Sequence, residues 1–206
     1  MAIINIKSKE RKPAALLFFM FFSIVSATIT GASVRDAVFL TQFDKSYLPV
    51  MFITIAVVMA GVIALYKKLT AGQDQIFVIS ISGALFSVSL FLLQSNLSGL
   101  FIPVLYIWME VVTILSIFQF WILAGEIFNA RQAKRIFTLL GAGGSFAGMG
   151  AGYGIKPFVS TFGSENLLFL TIFFIGISVV MAQMLRPFRI SRKPKKVNSK
   201  PVAKSK

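Results

Sequence analysis

Apolar runs of about 20 residues, the length that crosses a bilayer as a helix, recur along this chain with few charges inside them. The stretch from Tyr106 to Gly154 shows the pattern best: YIWMEVVTILSIFQFWILAGEIFNARQAKRIFTLLGAGGSFAGMGAGYG. One carboxylate, Glu110, stands well inside its apolar part; a basic turn follows with Arg131, Lys134 and Arg135, and a glycine-rich apolar segment returns. A water-soluble fold has no cover for so much continuous apolar surface, whereas a bilayer supplies it. Composition agrees: 56% of residues are hydrophobic, 22 are Phe, and only 14% are charged. The integral-membrane class follows.

Six such runs can be drawn. They are 13–33, 47–66, 76–93, 100–124, 136–155 and 167–185. The first follows a short basic N-terminus, 1–12, and is longer than the ~7–15 apolar residues of a signal peptide, so it reads as a spanning helix. Residues 186–206 are rich in Lys, Ser and Pro, and predict a disordered tail lying against an anionic inner leaflet. The expected fold is therefore an all-α membrane protein of six transmembrane helices.

The basic residues orient it. With both termini inside, the inner segments hold Lys7, Lys9, Arg11 and Lys12, then Lys67 and Lys68, then Arg131, Lys134 and Arg135, and finally the nine basic residues of the tail. The outer segments hold only Arg35, Lys45 and Lys156. The positive-inside rule makes this an N-in/C-in protein. The same distribution accounts for the net charge of +14 without nucleic acid: the cations flank apolar runs, and a single aromatic residue, Phe188, stands among those of the tail.

The chain has no Cys and no His. Thiolate nucleophiles, imidazole bases and the usual zinc ligands are missing, so hydrolytic enzymes built on them are excluded. No nucleophile–base constellation points to an enzyme, and nothing calls for a cofactor or a metal.

Four residues are candidates for binding chemistry. Glu110 lies nine residues past Phe101, about 13 Å along a helix and so near the bilayer middle. An ionised carboxylate there needs a partner, water or a proton, and reads as a substrate or coupling-ion site facing a polar cavity. Arg35 and Asp36 stand at the outer end of the first run. If the helix continues through AVFL, Arg35 faces the bundle at the depth of Glu110; if it ends at Ser33, the pair is interfacial. A buried guanidinium would suit phosphate or carboxylate, which its fork grips with paired hydrogen bonds. Lys156 ends the fifth run on the outer side, where it reaches an outward-facing cavity or snorkels to the interface. Gln119, 2.5 turns beyond Glu110, reads as a helix-packing hydrogen bond. Glu126 with the basic turn offers a cytoplasmic salt-bridge latch or a plain positive-inside loop.

The glycines from Gly141 to Gly154 do not fit a nucleotide loop. No Gly-Lys-Ser/Thr occurs and no strand precedes them. Gly144, Gly148 and Gly152 repeat every four residues, which predicts a face for close helix packing.

Three blocks carry a family resemblance. They are VRDAVFLTQF with Arg35 and Asp36, YIWMEVVTILSIFQFWILAGEIF with Glu110, and ARQAKRIFTLLGAGGSFAG after the fourth run. In these the chain resembles the ATP/ADP translocase family of nucleotide transporters, which is similar in fold to the major facilitator superfamily. The resemblance covers most of residues 14–185. It implies the N-terminal six-helix half of a twelve-helix transporter in a bacterial inner membrane, with Arg35 and Glu110 binding a nucleotide or another small anion.

Two functional readings follow. In the first, the chain is a nucleotide antiporter of the alternating-access type. One bundle cannot enclose a central cavity alone, so it works with a second six-helix half, either another copy or a separate chain. In the second, it is a non-transporting membrane module, an anchor, assembly factor or remnant half, that keeps the transporter fold.

Overall fold

The computed structural model describes residues 8–95 and 97–189 of the 206-residue chain. The described residues form six long helices: α1 Ser8–Gln42, α2 Leu48–Thr70, α3 Gln75–Gln94, α4 Phe101–Ile127, α5 Ala130–Phe162 and α6 Leu167–Met184. Two short 3-10 turns, Lys45–Tyr47 and Arg186–Phe188, lead into α2 and follow α6. Of the tail predicted as disordered, 186–206, the first four residues are ordered, Arg186–Phe188 as a 3-10 turn and Arg189 in ion pairs with Asp74 and Glu126; 190–206 lie outside the described residues, as do the first seven.

Five helices are long and apolar enough to cross a membrane: Glu10–Gln42, Phe101–Ile127, Gln75–Gln94, Leu167–Met184, and the stretch Lys45–Thr70 that includes α2. They mark the chain as an all-helical, multi-pass membrane protein. The helix α5 is long enough but falls outside this group. Its middle carries seven glycines between Gly141 and Gly154, and glycine adds length without an apolar side chain.

Helix ends follow local chemistry. Asp74 caps α3 by accepting hydrogen bonds from the backbone N–H of Ile76 at 2.9 Å and of Phe77 at 3.1 Å, which satisfies donors that a helix start leaves orphaned. At the start of α5, Asn129 and Gln132 form a reciprocal capping box. The helix α1 runs nine residues past the predicted end at Ser33. It is 35 residues long, about 52 Å, and so exceeds the hydrocarbon thickness. The helix α5 likewise continues past 155 and through Pro157, so Lys156 lies inside it rather than at its end. Ser160 and Thr161 donate to the Pro157 carbonyl at 2.9 and 3.0 Å, keeping the last turn closed.

The helices α1, α3, α4 and α6 make the centre: α1 packs on α4 and α6, and α3 on α4 and α6. On the flanks, α2 leans on α4 and α5 leans on α1. The burial of α2 is confined to Met51, Ile55 and Met59, a stripe with a four-residue spacing. Polar contacts register the central helices. The hydroxyls of Thr30 and Thr171 are 3.0 Å apart between α1 and α6. Ser82 of α3 donates to Gln119 Oε1 of α4 at 2.9 Å, and Gln75 donates to the Gln119 carbonyl at 3.3 Å. Gln119 is buried and holds helices together, as its place on the helix predicted.

Two glycines let the central helices approach. A Cβ at Gly31 of α1 would run into Met109 of α4, and a Cβ at Gly83 of α3 into Val179 of α6. The expected packing face of α5 is only partly realised. Gly144 meets Phe21, and Gly143, off the four-residue register, meets Phe18. Gly148 and Gly152 face open space, because α1 covers only the first half of the glycine segment.

Candidate functional site

The continuation of α1 through Ala37–Leu40 decides between the two readings of Arg35. The residue lies seven positions before the end of α1, about 10 Å along the axis, and reaches α4. Its Nε donates to Asp36 Oδ1 at 2.9 Å, and its Nη1 donates to Glu110 Oε2. The guanidinium carbon also sits 4.5 Å from the centroid of the Tyr106 ring. One cation thus holds two carboxylates and lies on an aromatic face, an arrangement that suits the planar, delocalised guanidinium.

Helix periodicity builds this cluster. Tyr106 precedes Glu110 by four residues on α4, so the ring and the carboxylate share one face. Phe39 follows Arg35 by four residues on α1, and its ring packs 4.8 Å from that of Tyr106. Gly31 precedes Arg35 by four and brings α1 close to Met109, the residue just before Glu110. The sequence reading did not include Tyr106 or Gly31. Their signal was the same four-residue spacing from Glu110 and Arg35.

Exposure is uneven across the cluster. The side chain of Arg35 is 13% exposed, that of Glu110 31% and that of Asp36 49%. The guanidinium is at the back and the carboxylates are at the front, on an open face of the bundle.

Lys156 is not part of the cluster. It lines an open groove of about 640 Å³ between α1 and α5, with Ile29, Gly148, Gly152 and Ser160. Among the described ion pairs none joins it to Arg35 or Glu110. Among the described residues no group of three metal-ligating side chains gathers.

A second charged cluster was not foreseen in this form. Glu126, expected beside the basic turn, instead pairs with Arg189 Nε at 2.9 Å, and the Nη1 of Arg189 pairs with Asp74. This clasp ties the α2–α3 loop, the end of α4 and the segment after α6. Of the basic turn, Arg135 lies 3.8 Å from Glu10, a buried carboxylate that also accepts a 2.6 Å hydrogen bond from Gln132. The side chains of Arg131 and Lys134 lie outside the described residues.

The clasp carries a pH dependence. Partial burial raises the Asp74 carboxyl, but the Phe77 and Ile76 N–H groups and the Arg189 guanidinium outweigh it and hold it below its ordinary value. A carboxyl lowered on folding contributes stability that is complete above its unfolded value, about 3.9, and is lost as pH falls through the folded value. Arg189→Ala is expected to lower the melting temperature in detergent at pH 7. The gap from the unsubstituted protein should narrow below about pH 4. A gap that stays constant from neutral to acid would show that Asp74 takes no part.

Comparisons of the chain with protein-family models, with curated proteins and with solved structures find no match.

Proposed function

We propose that the chain is one six-helix half of a membrane transporter for small anions, with both termini inside. The nucleotide exchange its sequence resembles is the leading case. The observation that carries this reading is the Arg35–Asp36–Glu110 cluster on Tyr106, set on an open face between two apolar helices. A membrane anchor has no use for three ionised groups at that depth, whereas a solute site needs them. The guanidinium supplies the fork for phosphate or carboxylate. The partly exposed carboxylates call for a facing second half, another copy or a separate chain, to complete a polar cavity. On this reading α5 is the sixth span despite its glycines, and the bacterial inner membrane is the location.

The test is uptake of labelled ATP and ADP into proteoliposomes. Glu110→Gln is expected to lower the uptake rate roughly tenfold to a hundredfold. That corresponds to one charge-assisted hydrogen bond of about 1.5–3 kcal/mol. Unchanged uptake in this variant would remove Glu110 from the site. Absence of uptake of either nucleotide by the unsubstituted protein would overturn nucleotide transport by paired copies of this chain.

A further inference from the structure

A serine or threonine inside an apolar helix can return its hydroxyl proton to the carbonyl one turn back. Ser23, Thr30 and Ser33 of α1 do so at 2.8 Å. Thr28 of α1 does not, and neither do Thr113 and Ser116, the only Ser and Thr of α4. None of the described hydrogen bonds involves these three hydroxyls. All three line one cavity between α1, α4 and α6, together with Thr171 and Ser178 of α6. Ser178 gives its proton to the Ile175 carbonyl at 2.7 Å, which leaves its oxygen lone pairs available. The cavity measures about 10 Å³, close to the least that holds one water-sized guest.

The cavity adjoins the charged cluster. Thr113 follows Glu110 by three residues on α4 and shares its face. Thr28 precedes Arg35 by seven residues on α1, two turns along the same face. With one guanidinium and two carboxylates ionised, the cluster sums to minus one. Nothing nearer offsets it. The run of α1 before Arg35 carries no charge back to Lys12. The helices α3 and α6 carry none. The other charge of α4 is Glu126, more than four turns beyond Glu110. Lys67 and Lys68 are in the last turn of α2, and Lys156 of α5 lines a different groove. A small hole rimmed by oxygen atoms, inside an apolar bundle and beside a net negative charge, favours a cation. No carboxylate lines the cavity, so a divalent ion lacks the ligands it needs.

We propose that this cavity binds one monovalent alkali cation, held by the hydroxyl oxygens of Thr28, Thr113 and Ser116 with those of Thr171 and Ser178. The hydroxyl protons turn away from the ion. Its charge brings cavity and cluster together to zero, and its ligands tie α1, α4 and α6 at one point. The site is independent of what the cluster itself binds.

The experiment uses the full chain in detergent, melted in choline chloride into which Na+ or K+ is titrated at constant ionic strength. One of the two ions should raise the melting temperature along a saturating curve, by about 2–4 °C. Binding of that ion, labelled, should level off at one per chain. Thr113→Val combined with Ser116→Ala removes two ligands at nearly unchanged volume. It should weaken binding at least roughly tenfold, with little change of melting in choline alone. Melting that is the same in all three salts overturns the proposal and leaves a water-filled cavity. So does ion binding of unchanged affinity in the double variant. Should that variant fail to fold, Thr28→Val asks the same question from α1, and unchanged affinity there also overturns it. The measurement requires no transport, so its failure leaves the uptake experiments untouched.

Discussion

Arg35→Ala should abolish nucleotide uptake and destabilise the protein by about 3 kcal/mol, the lower end of the range for leaving a buried charge without its partner. The lower end applies because the two stranded carboxylates are 31% and 49% exposed and keep some solvent. Removing the guanidinium leaves Asp36 and Glu110 on one face with no cation, and strips Tyr106 of a contact worth about 0.5–2 kcal/mol. The two like charges then repel each other across the α1–α4 contact. Thermal unfolding in detergent, followed by size exclusion, measures the first effect, and labelled ATP uptake the second. The triple change Arg35→Ala, Asp36→Asn, Glu110→Gln separates them. It removes all three charges, so stability should recover while uptake stays absent. A triple variant no more stable than Arg35→Ala would show that lost packing, and not the stranded charges, causes the destabilisation. Arg35→Lys keeps one charge but not the fork, and should fall between the original protein and Arg35→Ala in both measurements.

The second large effect concerns the α3–α6 contact. Gly83→Ala is expected to cost about 1–3 kcal/mol, as overpacking of a tight contact does. The new methyl meets Val179, and a β-branched side chain on a helix has one strongly preferred rotamer and cannot swing aside. Gly31→Ala meets the terminal methyl of Met109, a flexible end that can move, so its cost should be smaller. Gly61→Ala in α2 meets nothing within 4 Å and should stabilise by roughly 0.5–1 kcal/mol through helix propensity. Unfolding of the three variants side by side checks the order. A Gly83→Ala protein as stable as Gly61→Ala would show that α3 and α6 do not pack through this glycine.

Much of the candidate site was legible in the chain. Glu110 drew attention because a lone carboxylate in an apolar run is costly wherever the helix packs. Arg35 and Asp36 were visible as charges at a run's end, but hydropathy stops at Ser33 while hydrogen bonding continues to Gln42. Backbone bonding does not require apolar side chains, so a helix can outlast its apolar run by two turns. Lys156 shared the positive charge and outer position that suggested a role, yet the rotation of α5 turns it to a different groove. Glu10 and Arg189 passed as ordinary flank charges. Only the positions of Gln132, Asp74 and Glu126 give them partners.

The sequence alone determined the class of the protein and the approximate extent of its helices. Run length against bilayer thickness is a local quantity, readable residue by residue. Pairing of Arg35 with Glu110, 75 residues apart, and of Arg189 with Glu126 and Asp74 was decided only by the tertiary structure, as was the half of the glycine segment that is covered. A helix apolar on every side does not encode which face turns inward. That choice comes from the neighbours it packs against.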